Sequence, residues 1–254
     1  MKVVRAVSEL RLEGEVGLVP TMGALHAGHV SLFARARSEN DVVVASLFVN
    51  PAQFDEESDL MRYPRDEARD RKVAEDAGVD VLFAPSPDEM YPPGFATWVD
   101  VEEAGAEGEA RPGHFRGVAT VCLKLFNIVR PTRAYFGQKD AQQAIVVRRL
   151  VRDLNLGVDV RVLSTVRDAD GLALSSRNVQ LSLDERKRAL GLPQALAKAA
   201  ESDDPVAVAR AELNGLDPDY VELLDLDGAT LLAAAVRIGS TRLIDNVLVK
   251  GALP

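Results

Sequence analysis

The chain has 254 residues, of which 47% are hydrophobic, and this is enough to bury a substantial core in one large domain or in two. Its formal net charge of −9 argues against binding to nucleic acid through the overall electrostatic field of the protein. The single cysteine, Cys122, excludes an intramolecular disulfide and disfavours a structural zinc site. No apolar run approaches the roughly 20 residues that a membrane-spanning helix needs, and no signal-peptide pattern is visible. The sequence therefore predicts a cytoplasmic protein that binds neither nucleic acid nor membrane.

The first part of the chain alternates strand and helix patterns. Short apolar runs predict strands over residues 15–19, 41–49, 79–84, 133–136 and 158–163. Apolar residues at helical spacing predict helices after the first strand and over residues 65–77, 118–129 and 141–154. The run DVVVASLFV is apolar throughout, which is typical of a strand covered on both faces. This order predicts an α/β fold, a Rossmann-like parallel sheet with helices on both faces.

The composition shifts near residues 165–170, where we predict a domain boundary. The first domain, residues 1–165, would bind the nucleotide at the carboxyl ends of its strands, and residues 166–254 would form a small α+β domain that closes over it. Ser182 and Glu185 form a capping-box pattern for a helix through about Ala200. Residues 220–226 and 237–249 alternate like antiparallel strands. The segment 102–113, rich in Glu, Gly and Ala, predicts a surface loop.

The stretch GLVPTMGALHAGHVS, residues 17–31, places a glycine-bearing turn between a strand and a helix. Backbone N–H groups and the helix dipole make such a helix N-terminus suitable for phosphate. His26 and His29 share a helix face and can point at one ligand, while Gly23 and Gly28 allow close backbone approach. A metal site and a pair of histidines that only cap or pack are the alternatives. The lack of an obvious third ligand cluster favours an anion.

Two further segments carry groups that suit phosphate oxygens. Residues 137–140 follow a strand and open a helix, and Lys139 can act there as a point charge on a polyphosphate. Taken alone, this segment also fits an ordinary surface turn. Residues 174–177 offer two hydroxyls and a guanidinium, although a solvated hairpin is the alternative.

Four other side chains receive structural interpretations. His114 is predicted to organise a loop or a subunit contact rather than to catalyse. Asp66 and Asp70 are predicted to be solvated surface carboxylates, with magnesium binding as the alternative. Cys122 falls in an apolar helical pattern, so it is predicted to be an inert core residue.

The pieces PTMGALHAGH, FVNPAQF, YPRD, RPGHFRGVATVCLKLFNIVRPTRAYFGQKDAQQ and LALSSRNVQLS, in this order and spacing, resemble the pantoate–β-alanine ligase (pantothenate synthetase) family. This family belongs to the nucleotidyltransferases with a His-x-Gly-His motif. From about Ala200 the resemblance rests mainly on STRLIDNVLV. It implies ATP-dependent ligation of (R)-pantoate and β-alanine to pantothenate through a pantoyl-adenylate, with release of pyrophosphate and AMP. Ala27 and Leu174 stand where family members often carry Glu and Met, and neither departure removes a proposed charged or hydrogen-bonding side chain.

The resemblance also implies a role for individual residues. ATP would be bound by Met22, Gly23, Ala24, Leu25, His26, Ala27, Gly28, His29, Gly137, Gln138, Lys139, Asp140, Val166, Leu174, Ser175, Ser176 and Arg177. The catalytic side chains would be those of His29, His26, Lys139 and Arg177. Gln53 would bind pantoate and lie near β-alanine, and Gln143 would bind pantoate. Magnesium on the phosphates and a homodimer are implied as well.

Two other functions stay open at this level. One is an adenylyl or cytidylyl transferase with a different acceptor, and the other is a catalytically silent nucleotide-binding module. Aminoacylation of transfer RNA is disfavoured by the acidic balance. A silent module need not keep all of the side chains that the family uses. The following five are all present in this chain, which argues against a silent module: His29, Lys139, Arg177, Gln53 and Gln143.

Overall fold

Six strands of the chain form one sheet in the computed structural model, which describes residues 1–55, 57–102 and 105–254. The strands are β1 (Lys2–Val4), β2 (Val16–Thr21), β3 (Val42–Leu47), β4 (Val81–Phe83), β5 (Arg133–Gly137) and β6 (Asp159–Leu163). Their order is β1-β4-β3-β2-β5-β6, and the neighbours from β1 to β5 run parallel. The predicted α/β fold is confirmed. The short β1 was not predicted from the sequence.

Helices alternate with these strands. They are α1 (Ala27–Glu39), α2 (Glu57–Arg62), α3 (Glu67–Asp76), α4 (Pro87–Met90), α5 (Gly105–Ala110), α6 (His114–Val129) and α7 (Ala141–Asp153). Short 3-10 turns cover Pro51–Gln53 after β3 and Gln138–Asp140 after β5. In the part of the chain that the structure describes, no helix is both long and apolar enough to cross a membrane.

By its internal contacts the chain divides into two units, Met1–Phe136 with Val146–Arg161, and Gly137–Ile145 with Val162–Pro254. The core of the first unit lies between the sheet and α6, where Leu18 of β2 and Phe126 of α6 belong to one apolar cluster. Cys122 belongs to the same cluster. Burial raises the pKa of its thiol to about 12, so it is an inert core residue as predicted. The predicted division at residue 165 stays a prediction.

The strand β2 continues past the residue that was expected to end it. Pro20 and Thr21 still pair with Ser46 and Leu47 of β3. Thr21 keeps the strand in place because its N–H donates to the Ser46 hydroxyl at 3.1 Å and its own hydroxyl donates to the Ser46 carbonyl at 2.6 Å. Pro20 therefore lies one residue before the end of β2 rather than after it.

The segment that was predicted to be a surface loop contains the helix α5, although residues 103 and 104 lie outside the described part of the chain. Glu107 of α5 is buried and lies 3.6 Å from the Arg111 guanidinium, one turn further on. The loop prediction was wrong because a composition rich in Glu, Gly and Ala does not reveal a buried ion pair between residues four apart.

The second unit contains a three-stranded antiparallel sheet of β7 (Pro218–Leu226), β8 (Ala229–Ile238) and β9 (Thr241–Lys250). The helices α8 (Leu183–Ala189), α9 (Gly191–Ala200) and α10 (Pro205–Glu212) complete it, and α9 and α10 pack with the sheet in one apolar core. The predicted α+β fold of this part is confirmed. Most of β8 was missed because it is buried on both faces, so its residues do not alternate.

The helix expected from Ser182 to Ala200 is divided at Leu190. Its start is as predicted, since the Ser182 hydroxyl accepts from the Glu185 N–H and Glu185 accepts from the Ser182 N–H. Pro193 explains the division. It has no N–H for the carbonyl of Ala189, and its ring crowds that carbonyl, so α8 ends there and α9 begins anew.

Candidate functional site

The turn between β2 and α1 is held by the buried carboxylate of Asp70 in α3. One oxygen of Asp70 accepts from the Ala24 N–H and the other from the Leu25 N–H, both at 2.8 Å. Gly23 has φ +88°, and a Cβ there would lie 2.8 Å from the Asp70 carboxylate. Only glycine fits this position without strain. Asp70 is 1% exposed, so its assignment to the solvated surface was wrong.

His26 and His29 form the N-terminal cap of α1. The Nδ1 atom of His26 accepts from the Gly28 N–H at 3.1 Å, and Nδ1 of His29 accepts from the His26 N–H at 3.2 Å. The ring centroids are 4.1 Å apart. A ring that accepts at Nδ1 carries its proton, in the neutral form, on Nε2. Both imidazoles therefore have a defined tautomer at the start of a helix.

The backbone N–H groups of this turn are used inside the protein. Gly23 donates to the Thr21 hydroxyl at 3.3 Å, and the N–H groups of Ala24, Leu25, His26 and Gly28 donate to Asp70, Asp70, His29 and His26. These five N–H groups are therefore already engaged, and the side chains of the turn are further donors for an anion. Three or more His, Cys, Asp or Glu side chains suitably grouped for a metal ion are not found among the described residues.

Gln53 lies in the 3-10 turn after β3, the neighbour of β2 in the sheet. Its side chain is 8% exposed, and its Oε1 accepts from Asn50 Nδ2 at 3.0 Å. Helix α6 supports this turn closely, because a Cβ on Gly117 would lie only 2.3 Å from the carbonyl oxygen of Ala52. Gly117 is therefore required for the turn to pack on the helix. Asn50, which holds the Gln53 side chain, was not predicted as a residue of the site.

His114 at the start of α6 fixes the same turn. Its Nδ1 lies 2.8 Å from the Gln53 carbonyl, which can only accept, and its Nε2 lies 3.3 Å from the Arg111 guanidinium, which can only donate. The ring is therefore neutral with its proton on Nδ1. Burial, helped by the Arg111 charge, lowers the pKa of His114 to about 4. The prediction that His114 organises a loop is confirmed.

Asn246 of β9 holds the predicted lysine turn in the second unit. Its Nδ2 donates to the carbonyls of Gln138 at 2.8 Å and Lys139 at 3.0 Å, and its Oδ1 accepts from Gln138 Nε2 at 2.9 Å. The Lys139 ammonium lies 3.5 Å from the Asp140 carboxylate. Asn246 itself was not predicted as a site residue. The motif STRLIDNVLV contains it, but gives no sign of this contact.

The neighbouring residue of β9, Asp245, holds the hairpin that precedes the second predicted segment, residues 174–177. It is 2% exposed, and its two oxygens accept from the Arg167 guanidinium at 2.6 and 3.0 Å. Arg167 lies in a hairpin that is closed by the bond from the Leu174 N–H to the Val166 carbonyl at 3.0 Å. Next along the chain, the Ser175 hydroxyl accepts from the Arg177 N–H at 3.3 Å. Asn246 thus fixes the lysine turn directly, whereas Asp245 fixes the hairpin that leads into residues 174–177.

The structure describes all of the predicted site residues. The first unit holds Gln53 and residues 22–29, and the second holds residues 137–140, Gln143, Val166 and residues 174–177. Direct contacts join His26 to His29. The roles that the sequence assigns to these residues stay predictions.

A family model for pantoate-beta-alanine ligase matches residues 1–248 of the chain. A pantothenate synthetase from Roseiflexus castenholzii is 51% identical over 98% of this chain and 100% of the relative, and one from Moorella thermoacetica is 52% identical over 92% and 91%. Among solved structures, a pantothenate synthetase from Thermus thermophilus has a TM-score of 0.92 with 47% identity, covering 99% of this chain and 100% of that one. A pantoate-beta-alanine ligase from Francisella tularensis, complexed with beta-gamma ATP and beta-alanine, has a TM-score of 0.82 with 35% identity, covering 99% of both chains.

Replacement of Asp70 tests how far the histidine turn depends on its carboxylate. We expect Asp70→Ala to lower the free energy of unfolding by about 2–4 kcal/mol, because the N–H groups of buried Leu25 and half-buried Ala24 lose a charged acceptor. Amide hydrogen exchange at Ala24 and Leu25 should become faster. Urea unfolding and exchange detected by NMR measure the two effects. The matched control is Asp66→Ala, which removes only the exposed cap of α3 and should cost about 1 kcal/mol. Equal losses in the two variants would contradict the role of Asp70.

The neutral state of His114 predicts a specific pH dependence of stability. Its pKa is about 4 in the folded protein and near 6.5 in the unfolded chain, so only the unfolded state gains a proton as the pH falls between these values. This contribution to stability is complete above pH 6.5 and is lost towards pH 4. His114→Asn keeps a donor for the Gln53 carbonyl but does not titrate. We expect the pH-dependent loss of unfolding free energy to be roughly 2–3 kcal/mol smaller in this variant. Parallel curves for the two proteins in urea unfolding would show the expectation to be wrong.

Proposed function

The chain belongs to the pantoate–β-alanine ligase family, and we propose which of its side chains carry the two steps of the reaction. The reaction is the ATP-dependent condensation of pantoate with β-alanine. In the first step the pantoate carboxylate attacks the α-phosphorus of ATP, and pantoyl-adenylate and pyrophosphate form. In the second step the amine of β-alanine attacks the acyl carbon, the bond to AMP breaks, and pantothenate is released.

The first step brings a carboxylate to a polyphosphate, so the mutual repulsion of the two anions must be reduced. His29 serves this purpose at the reacting phosphate, with His26 beside it. The observation that carries this assignment is the tautomer of the pair, because acceptance at Nδ1 leaves Nε2–H as the donor of each neutral ring. The turn of residues 22–29 contacts ATP through these side chains.

Lys139 and Arg177 supply positive charge to the phosphates in this proposal. The rest of residues 137–140 and 174–177, together with Val166, contact the nucleotide. Support comes from buried side chains of β9, because Asn246 fixes the turn of Lys139 and Asp245 fixes the hairpin that leads into residues 174–177. A phosphate clamp works best when its backbone needs no reorganisation. Ser175 and Ser176 add hydroxyl donors.

Gln53 and Gln143 bind pantoate by hydrogen bonds, and Gln53 also lies near β-alanine. Pantoate carries one carboxylate and two hydroxyls, and a primary amide can hold such groups without adding a charge. The burial of Gln53 and its bond to Asn50 support a fixed amide at this position. Gln143 lies on α7 and is half-buried.

Magnesium enters the reaction with ATP. Mg²⁺ in such enzymes is held by substrate phosphates and one or two carboxylates, and the described residues offer no group of three or more acidic, His or Cys side chains for it. We expect the phosphates of ATP to be its main ligands, where it would neutralise negative charge. A homodimer and a cytoplasmic location complete the proposal, as the sequence predicts.

Pyrophosphate–ATP exchange tests the reaction directly. We expect labelled pyrophosphate to enter ATP only when pantoate is present, because the first step is then reversible without β-alanine. Other small carboxylates, such as lactate, serve as controls for acceptor choice. Absence of pantoate-dependent exchange in folded protein would contradict this proposal. Exchange supported better by another carboxylate would indicate a different acceptor.

The proposed roles predict different kinetic effects for different residues. His29→Ala and Lys139→Ala should each slow adenylate formation by about 10²-fold or more, since each removes a donor from the reacting phosphates. Gln143→Ala should mainly raise the KM for pantoate, by about tenfold. Lys198→Ala is a control for lost charge, because Lys198 is an exposed residue of α9 that pairs with Glu212. If Gln143→Ala leaves the pantoate KM unchanged, its assignment is withdrawn.

A further inference from the structure

We propose that Tyr91 is a positioning residue for pantoate binding, because its hydroxyl helps to hold Asn50, and through it the Gln53 amide, with the Gln53 N–H groups towards the substrate. This inference rests on the proposed role of Gln53 and concerns residues of the first unit only. It adds the direction of the hydrogen bonds, because it makes Gln53 the donor and pantoate the acceptor.

The orientation of the Asn50 amide is fixed at both ends. Its nitrogen lies 3.1 Å from the carbonyl oxygen of Gly117, which can only accept. Its oxygen accepts from the Tyr91 hydroxyl at 2.9 Å and from the Ala52 N–H at 3.3 Å. Asn50 is 1% exposed, so no water can replace these partners freely. The contacts at both ends agree on one orientation of the amide.

The orientation of the Asn50 amide also fixes that of the Gln53 amide. The second hydrogen of Asn50 Nδ2 points to Gln53 Oε1, 3.0 Å away, so the oxygen of the Gln53 amide is directed at Asn50. The nitrogen, with two N–H donors, is on the other side of the amide. It makes no hydrogen bond to the described residues. Gln53 can therefore offer N–H groups to a carboxylate or hydroxyl oxygen of pantoate, which accepts them.

Tyr91 is itself held in place by an aromatic cluster, which we define as Tyr91, Phe95 and Trp98. Its ring stacks on Trp98 with centroids 5.8 Å apart and meets the ring of Phe95 edge-on at 5.1 Å. The Lys124 ammonium lies 5.9 Å from the ring centroid of Tyr91. Burial also raises the pKa of the Tyr91 hydroxyl, so the group stays a donor at neutral pH. The phenol is therefore a rigid donor at the start of the series from Tyr91 to Asn50 to Gln53.

Loss of this hydroxyl leaves Asn50 Oδ1 with only the longer contact to Ala52. The Gly117 carbonyl and the Ala52 N–H still favour the same orientation of Asn50, but its side chain is held by one bond fewer. Other positions of Asn50 and Gln53, in which the Gln53 N–H groups are not directed at pantoate, then become more populated. Pantoate binds only the fraction with the correct orientation, so its apparent affinity falls. The chemical step in the bound state changes little, because Tyr91 does not touch the reacting atoms in this proposal.

Tyr91→Phe tests this inference, with Tyr135→Phe as the matched control. Tyr135 is another buried tyrosine of the first unit, and its hydroxyl donates to Glu39 and accepts from Asn40. In pantoate-dependent pyrophosphate–ATP exchange, Tyr91→Phe should raise the KM for pantoate about three- to tenfold. Its kcat and its KM for ATP should stay within about twofold of the wild type. Tyr135→Phe should leave the pantoate KM unchanged.

An unchanged pantoate KM in Tyr91→Phe, or an equal rise in Tyr135→Phe, would overturn the inference. These results are distinct from failure of the proposed function, in which the wild-type protein itself shows no pantoate-dependent exchange. The aromatic cluster stays intact in Tyr91→Phe because only the oxygen is removed.

A second comparison does not depend on how Tyr91→Phe folds. In Gln53→Glu an oxygen replaces the Gln53 nitrogen, while the bond from Asn50 can still form. If Gln53 donates to pantoate, Gln53→Glu should weaken pantoate binding at least as much as Gln53→Ala, and calorimetric titration with pantoate measures both. Tighter binding to Gln53→Glu than to Gln53→Ala would show that Gln53 accepts a hydrogen bond from pantoate, and would overturn the proposed direction.

Discussion

The two hydrogen bonds from Ala24 and Leu25 to the carboxylate of Asp70 determine what the histidine turn can offer to a ligand. A strand-to-helix turn usually binds phosphate through its own N–H groups. Here those groups point at a buried acid, and the cap of α1 is completed by imidazoles. The turn therefore presents side chains that can donate from Nε2, on a backbone that the bonds to Asp70 hold in place. A donor on such a backbone can stabilise a developing charge without first breaking bonds inside the protein.

The second unit uses the same physical arrangement with different residues. A buried carboxylate, Asp245, fixes a guanidinium in one segment, and a buried amide, Asn246, fixes the carbonyls of another. The two side chains come from consecutive positions of β9, which pair in regular register with Ala234 and Ala233 of β8. Polar loops that carry function are thus held by side chains from regular elements. This is why substitutions at residues that never contact a ligand can alter the site.

Much of the fold was predictable because its long segments are strongly periodic. Helices α6 and α7 and the strand β3 follow directly from their apolar patterns, and the motif residues lie in the turns where the sequence placed them. The site residues that were missed or misassigned have one cause in common, which is that they contact residues far away in the sequence. Asp70 lies more than forty positions from the turn that it holds, and Asn246 more than a hundred from Lys139. A single sequence shows neither contact, since the local pattern around each residue does not reveal its distant partner. The strand β8 was missed for a different reason, because burial on both faces removes alternation.

The charges around Gln53 explain why a neutral amide suits its proposed task. The nearby guanidinium of Arg111 lies 3.0 Å from Asp55 and 3.6 Å from Glu107, and its neighbour His114 is neutral. The positive charge of Arg111 is thus balanced within the protein, and in the proposed orientation Gln53 adds neutral hydrogen-bond donors. A full positive charge on the pantoate carboxylate would stabilise the substrate before reaction, and this stabilisation would be lost as the carboxylate gives up its charge to the new bond. In the proposed reaction, amide donors would position the carboxylate with less of this loss, so it would stay a nucleophile while the charges of Lys139 and Arg177 act on the phosphates.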